Sequence, residues 1–287
     1  MIMAYKKISG FSDEISEHIK EQFEALNKFG ISFFEPRGID GKNISALTEE
    51  EMYALKMLMD EYGIEASSIG SPIGKIKITD EFEPHLEVLK NVVKAAKILG
   101  TKFIRVFSFY HEENTEWTEE ERIEVFRRMK IMVDYAKEQD VILLHENEKD
   151  IYGDTADRCL ELMKEFYGAN FKAIFDPANF VQCKEDTKRA YLLLKPYITY
   201  MHIKDALLED ESVVPAGLGD GNVEYILKDL FASGYEGFLS LEPHLGNFKG
   251  FADLEIGANS KVRDDLFGGE QAFGLAYNSL LEILDRI

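Results

Sequence analysis

FKAIFDPANF, residues 171–180, begins as an apolar alternation and ends on a carboxylate. Phe171, Ala173 and Phe175 share one side of an extended chain, and Asp176 follows at once. Pro177 interrupts the pattern, and Asn179 lies three residues beyond the aspartate. Burying a charge is costly, so a strand that looks buried has little reason to deliver a carboxylate at its end unless something there uses it. The event recurs on both sides of this stretch. VILLHENE (141–148) carries Glu146 at the end of an apolar run, ITYMHIKD (198–205) carries His202, and GFLSLEPH (237–244) carries Glu242. The intervals between these positions, 30, 26 and 40 residues, suit successive strand–helix units.

Outward from these four runs the same alternation fills the chain. Short apolar runs at Lys7–Phe11, Ile31–Glu35, Ile64–Ile69, Phe103–Phe107, Val141–Leu144, Phe171–Phe175, Ile198–Ile203 and Gly237–Leu241 read as strands. Helical patterns follow them over Ser16–Phe29, Thr48–Tyr62, Glu83–Leu99, Thr118–Gln139, Thr155–Tyr167, Glu185–Leu194, Val223–Ala232 and Glu270–Leu284. Thr48 is followed three residues later by Glu51, a capping-box signature, and Gly63 and Gly100 are helix stops. Along the fourth helix the expected apolar face includes Ile123, Phe126, Met129, Val133 and Ala136. Eight strand–helix units in 287 residues predict an α/β protein, one (β/α)8 TIM barrel domain spanning 1–287. A stretch of about 25 residues (245–269) after the eighth strand is too long for an ordinary connection and is expected to be a substrate cover.

Composition bounds the function. The formal net charge of −20 argues against nucleic acid as the main partner, because phosphate binding needs clustered Lys and Arg. No apolar run is long enough to span a membrane, and the first residues lack the apolar core of a signal peptide. Two cysteines, Cys159 and Cys183, support neither a disulfide framework nor a Cys-rich zinc site. The expectation is a cytoplasmic protein with no membrane partner.

On consecutive strands of a barrel, Glu146, Asp176, His202 and Glu242 would meet in one quarter of its mouth. Three carboxylates cannot share a buried space without a counter-charge, and a divalent cation supplies it. Three oxygen donors and one imidazole suit Mn²⁺ or Mg²⁺, with Co²⁺ and Zn²⁺ also compatible. Further residues fall near this mouth. Arg37 follows Glu35 by two and shares its face, as a structural pair with that glutamate or as a substrate contact. By the same spacing Glu148 shares a face with Glu146, Lys204 with His202, and His244 with Glu242. Lys204 could hold an oxyanion or pair with Asp205 or another carboxylate, and Asn179 could meet a substrate hydroxyl or cap a helix. Arg37, Glu148, Asn179, Lys204 and His244 are therefore the candidate substrate-binding residues. Phe107, Phe109 and Tyr110 are either an apolar wall or core. His145 should face the helices, and His18 and His85 the surface. The run GLGDG (217–221) does not directly follow a strand and open a helix, so it reads as a turn rather than a phosphate loop.

At these residues the chain resembles the xylose isomerase-like TIM barrels, the sugar phosphate isomerase/epimerase superfamily. The pattern Glu146, Asp176-Pro-Ala-Asn179, His202-Ile-Lys204-Asp205, Glu242 carries the resemblance, with FEPRGIDGKN (34–43) and AGLGDGNVEY (216–225) in support. It covers nearly the whole chain. The resemblance implies one divalent metal and a sugar isomerase or epimerase, ketose 3-epimerase-like, that works next to a carbonyl through an enediolate. It also implies that Glu146 and Glu242 act as acid and base on opposite faces of the substrate. A lyase or an epimerase of a 3-keto-glycoside or inosose shares the first half of that chemistry. Aldose–ketose isomerisation fits less well, because the chain lacks the C-terminal arm that goes with it. A nuclease would need more metal-binding histidines, and a sugar-binding module without catalysis would not need four intact ligand positions. Homo-oligomerisation is a further implication of the resemblance.

Overall fold

The computed structural model describes residues 5, 7–111, 116–245 and 269–287. The expected cover, residues 245–269, lies almost entirely outside them.

Eight parallel strands form the barrel wall: β1 Ile8–Gly10, β2 Phe33–Phe34, β3 Glu65–Ala66, β4 Phe103–Val106, β5 Ile142–Glu146, β6 Phe171–Phe175, β7 Ile198–Ile203 and β8 Phe238–Leu241. Six pair continuously in the order β1-β8-β7-β6-β5-β4, and β2 pairs with β3. Backbone bonds outside the paired strands complete the ring. The Glu35 N–H donates to Gly10 O at 2.9 Å, and the Ile69 N–H to Phe103 O at 2.9 Å. Helices α1 Ile19–Phe29, α2 Glu49–Tyr62, α3 Phe82–Leu99, α4 Glu119–Gln139, α5 Ala156–Phe166, α6 Pro177–Gln182, α7 Thr187–Leu194, α8 Val223–Ala232 and α9 Glu270–Arg286 alternate with the strands.

Local chemistry explains the boundaries. Thr48 and Thr118 each complete a capping box, with Glu51 and Glu121 respectively, and Gly63 and Gly100 close their helices in the left-handed conformation. One boundary departs from expectation. The segment after β6 holds two helices, not one, because Asp176 caps a short additional turn: its carboxylate accepts the Asn179 N–H at 3.0 Å, and Pro177 occupies the first helical position. The expected face of α4 also shifts. Ile123 is 57% exposed, while Val125, Arg128, Met129, Met132 and Ala136 are buried.

The alternation of side chains along the strands positions the site. On six of the eight strands, residues on one face read apolar first and ionisable later: Phe33-Glu35-Arg37, Phe103-Arg105, Leu144-Glu146, Ile174-Asp176, Tyr200-His202-Lys204 and Phe238-Ser240-Glu242. Leu144, Ile174 and Tyr200 pack together with Phe103, Ile142 and Phe238 as one apolar layer. The ionisable groups lie one step further along the same strands, at their C-terminal ends. That is where barrel active sites form. The other face of the strands packs on the helices in a large apolar core.

Candidate metal centre

Glu146, Asp176, His202 and Glu242 converge as expected. Each offers a ligand atom, these atoms all lie within 4.8 Å of one another, and all four residues are buried. His202 is central. Its Nδ1 stands 2.7 Å from Glu146 Oε1 and 3.6 Å from Glu242 Oε2, while Nε2 faces Glu35 Oε2 at 3.2 Å. A histidine that ligates a metal through one nitrogen commonly donates the other N–H to a carboxylate, and Glu35 supplies that partner. The same Glu35 oxygen accepts from Tyr200 Oη and Ser240 Oγ, each at 2.8 Å.

The residues fit a divalent cation. Asp176 Oδ2 is buried and receives no directed hydrogen bond among the described residues, although the Lys204 ammonium stands 3.1 Å away. The contact is electrostatic, and an oxygen with a free lone pair aimed into the cluster is what a cation needs. Protonation equilibria show the strain of the unshared charge. Burial pushes Asp176 up to about 7, opposed by Lys204 and reinforced by Glu242 and Glu146. Burial works against charge on Glu242 as well, but Lys204, His244, His202 and Arg105 hold it well below the usual carboxylate range. For His202, burial disfavours the imidazolium, yet Glu146 and Glu35 raise it well above its ordinary value.

The candidate substrate-binding residues fall into different surroundings. Lys204 is inside the cluster, 2.9 Å from Glu242 Oε2, and does not pair with Asp205. Asn179 Nδ2 donates to Asn147 O at 2.8 Å and weakly to Glu146 Oε1 at 3.5 Å, so its side chain is not a helix cap. Glu148 pairs with Lys75 at 3.0 Å. Arg37 does not pair with Glu35. Its guanidinium clamps Asp13 at 2.8 and 3.0 Å and reaches Glu14 at 3.1 Å and Glu242 Oε1 at 3.3 Å. His244 takes a left-handed backbone (φ 45°) with its N–H on Glu14 Oε2 at 2.7 Å and its ring 3.4 Å from Glu14 Oε1. Burial pushes the Glu14 carboxyl up to about 8, against the pull of Arg37.

Several outer residues also find their places. His145 faces the helix side, as expected, 3.0 Å from Ser108 Oγ, and burial lowers it to about 3. His85 is buried rather than on the surface, since its Nε2 accepts the Gly74 N–H at 2.7 Å. Phe107, Phe109 and Tyr110 are buried, Phe109 in the main core. The 217–221 run folds around Asp205, whose carboxylate accepts the N–H groups of Gly217, Gly219 and Gly221 at 2.8–3.1 Å. A Cβ on Gly219 would lie 2.4 Å from Asp205 Oδ1, which is why the position has none.

Arg105 was not singled out from the sequence. Its Nη1 lies 3.3 Å from Glu146 Oε2 and 3.5 Å from Glu242 Oε1, linking the two glutamates. The available signal was an arginine inside the apolar run FIRVF, on the face that leads to the mouth. Glu14 and Lys75 carried no comparable signal, because neither lies on an alternating strand: Glu14 ends a short 3-10 turn and Lys75 sits in a loop, and only the fold sets their direction.

Comparison with known proteins agrees with this architecture. No curated protein matches the chain. Among solved structures, the IolI protein with a bound zinc atom is 17% identical, covering 98% of both chains at a TM-score of 0.74. The probable 3-DHS dehydratase AsbF of Bacillus anthracis is 17% identical, covering 98% of this chain and 100% of its own, with a TM-score of 0.71. D-allulose 3-epimerase from Methylomonas sp., in complex with D-allulose, is 16% identical over 98% of this chain and 97% of its own, with a TM-score of 0.71. At such identities the likeness speaks for the fold. A family model described as xylose isomerase-like TIM barrel matches residues 23–262, and the chain belongs to that family.

Proposed function

We propose that this chain is a divalent-metal-dependent sugar isomerase or epimerase that acts next to a carbonyl through an enediolate. The observation that carries the reading is the pair of buried glutamates, Glu146 and Glu242, converging with Asp176 and His202 on one cation-sized space. Glu146, Asp176, His202 and Glu242 would hold the ion, which would polarise a carbonyl and balance charge developing on its oxygen. Mn²⁺ is the proposed ion, with Mg²⁺, Co²⁺ or Zn²⁺ able to meet the same donors.

Glu146 and Glu242 serve as the proton-transferring pair. One takes the proton from the carbon next to the carbonyl, and the other returns a proton on the opposite face. Positioned acid–base groups of this kind contribute about 10²–10⁴-fold. Asn179 and Lys204 border the same space and orient substrate hydroxyls; Glu148, Arg37 and His244 form the next ring. Burial keeps bulk water from the glutamates and strengthens each electrostatic contact. A lyase shares the proton abstraction and differs in expelling a leaving group afterwards, and the likeness to a dehydratase keeps this as the second reading.

The substrate is a small carbohydrate, and a net charge of −20 makes a nucleic-acid partner unsuitable. Among the described residues no helix is long and apolar enough to cross a membrane. We place the protein in the cytoplasm as a single domain, able to form homo-oligomers.

Deuterium exchange tests the proposal. Metal-free and Mn²⁺-loaded protein would be incubated in D₂O with free ketoses, ketose phosphates, an inosose and a 3-keto-glucoside, and followed by NMR at the carbon beside the carbonyl. Metal-dependent exchange that vanishes in Glu146→Gln and in Glu242→Gln is the expected result. The product separates epimerase from lyase. No exchange with any substrate, despite bound metal, would overturn the reading.

A further inference from the structure

Resting on that reading of the site, we propose that the substrate carries an anionic group, a carboxylate or a phosphate, and that Arg105 recognises it. Arg105 projects from β4 into the mouth and is 4% exposed. Its guanidinium carbon lies 4.8 Å from the Phe11 ring centre and 5.0 Å from that of Phe107. Two rings thus fix the position of the fork.

The hydrogen bonds it makes there are poor. They run at 3.3 Å to Glu146, 3.5 Å to Glu242 and 3.4 Å to Gly70 O, and Nε has no partner among the described residues. Arg37, which meets the same Glu242 oxygen at 3.3 Å, shows what a committed arginine looks like: a two-pronged grip on Asp13 at 2.8 and 3.0 Å. A buried guanidinium is expensive to desolvate, and leaving donors unmet adds to the cost. Arg105 is therefore a pre-positioned fork whose proper partner is not among its present contacts.

Its location says what that partner is part of. The two carboxylates it touches are the proposed acid and base, so a substrate lying between them lies against the guanidinium. Neutral hydroxyls do not need a fixed cationic fork, and Asn179 and Lys204 border the same space as partners for them. A carboxylate or phosphate matches the fork with parallel charge-assisted hydrogen bonds. A neutral analogue would leave the buried charge unpaired, and sites of this kind reject such analogues strongly.

Unreactive ligands on the full chain provide the test. D-Gluconate, D-glucitol and D-glucitol 6-phosphate share one polyol backbone and differ in the anion. Their affinities for Mn²⁺-loaded protein would be measured by calorimetry, with Mn²⁺ binding followed separately by electron paramagnetic resonance. We expect one of the two anions to bind at least about 30-fold more tightly than glucitol, the lower end of the effect of truncating a buried charged partner. Which anion wins identifies the source of the charge. Arg105→Met should abolish the preference while still binding Mn²⁺, and Arg105→Lys should restore part of it. Equal binding of all three ligands, or a preference that survives Arg105→Met, overturns the inference. If Arg105→Met does not fold, the wild-type comparison and Arg105→Lys decide. Failure of wild-type protein to bind Mn²⁺ would instead defeat the metal-dependent reading, and the same ligand comparison on metal-free protein would then judge Arg105 alone.

Discussion

Glu35 offers the sharpest test of how the proposed metal site is built. One of its oxygens accepts from His202 Nε2 at 3.2 Å, Tyr200 Oη at 2.8 Å and Ser240 Oγ at 2.8 Å. Tyr200 keeps a second partner in Ser67 Oγ at 2.8 Å. Glu35→Ala therefore strands two buried donors, His202 Nε2 and Ser240 Oγ, at about 1–3 kcal/mol each. The loss of stability should be about 2–6 kcal/mol, and any change in metal affinity would be hard to separate from it. Glu35→Gln is the informative variant. Its amide oxygen can still accept, so the fold is largely kept, but the charge that holds the imidazole N–H and enriches Nδ1 is gone. Outer partners of metal-bound histidines are worth about 10–100-fold in metal affinity. Mn²⁺ titration of wild-type and Glu35→Gln protein by electron paramagnetic resonance, with thermal unfolding as the control for folding, reads this directly. Unchanged Mn²⁺ affinity in a folded Glu35→Gln protein would refute the argument that Glu35 sets the ligating nitrogen of His202.

Three more expectations follow from the same geometry. Mn²⁺ affinity should rise with pH, because the metal must displace the proton that Glu146 and Glu35 hold on His202, about tenfold per unit for one proton. It should rise more steeply below about 7, where burial keeps Asp176 protonated as well. Stability of the metal-free fold runs the opposite way: raised values on His202 and Asp176 favour it at low pH, and that support is lost as pH climbs through each folded value. Mn²⁺ should thus raise the Tm more at pH 8 than at pH 6, and a shift independent of pH would contradict this. Lys204→Met leaves Asp176 and Glu242 without their ammonium and should cost the metal-free protein about 3–5 kcal/mol; added Mn²⁺ should recover most of it, and a Tm insensitive to the metal would count against the site. Gly219→Ala forces a Cβ to 2.4 Å from Asp205 Oδ1 and 2.5 Å from Ala206 O, and should cost about 1–3 kcal/mol in thermal unfolding, whereas an unaltered Tm would show that the turn yields freely.

Much of the site was legible because strands have a period of two. Glu146, Asp176, His202 and Glu242 each follow a run whose alternation says which face they leave on, and intervals of 30, 26 and 40 residues, each the length of a strand–helix unit, say that they leave from neighbouring strands. The same rule correctly put Lys204 and His244 beside them and turned His145 away. It failed where geometry is not local. Asn179 looked like a candidate cap, but the capping is done by Asp176, whose free oxygen remains in the cluster. His85 looked exposed on a helix, but Gly74 from a distant loop donates to its ring. Arg37 and Glu35 are two residues apart and invite pairing, yet Arg37 turns to Asp13 and Glu35 to His202.

The order of apolar and ionisable residues along eight short runs is thus enough to specify a barrel and the four groups at its mouth, because strand alternation and helix caps are local rules that chain order alone obeys. Which oxygen meets which nitrogen is not local. Arg105 links glutamates 41 and 137 residues away, and Glu14 meets a histidine 230 residues on. Apart from the Arg105–Glu146 contact between neighbouring strands, these exist only once the barrel closes and brings β1 beside β8. The charge balance of the site, and so its chemistry, is settled by that closure.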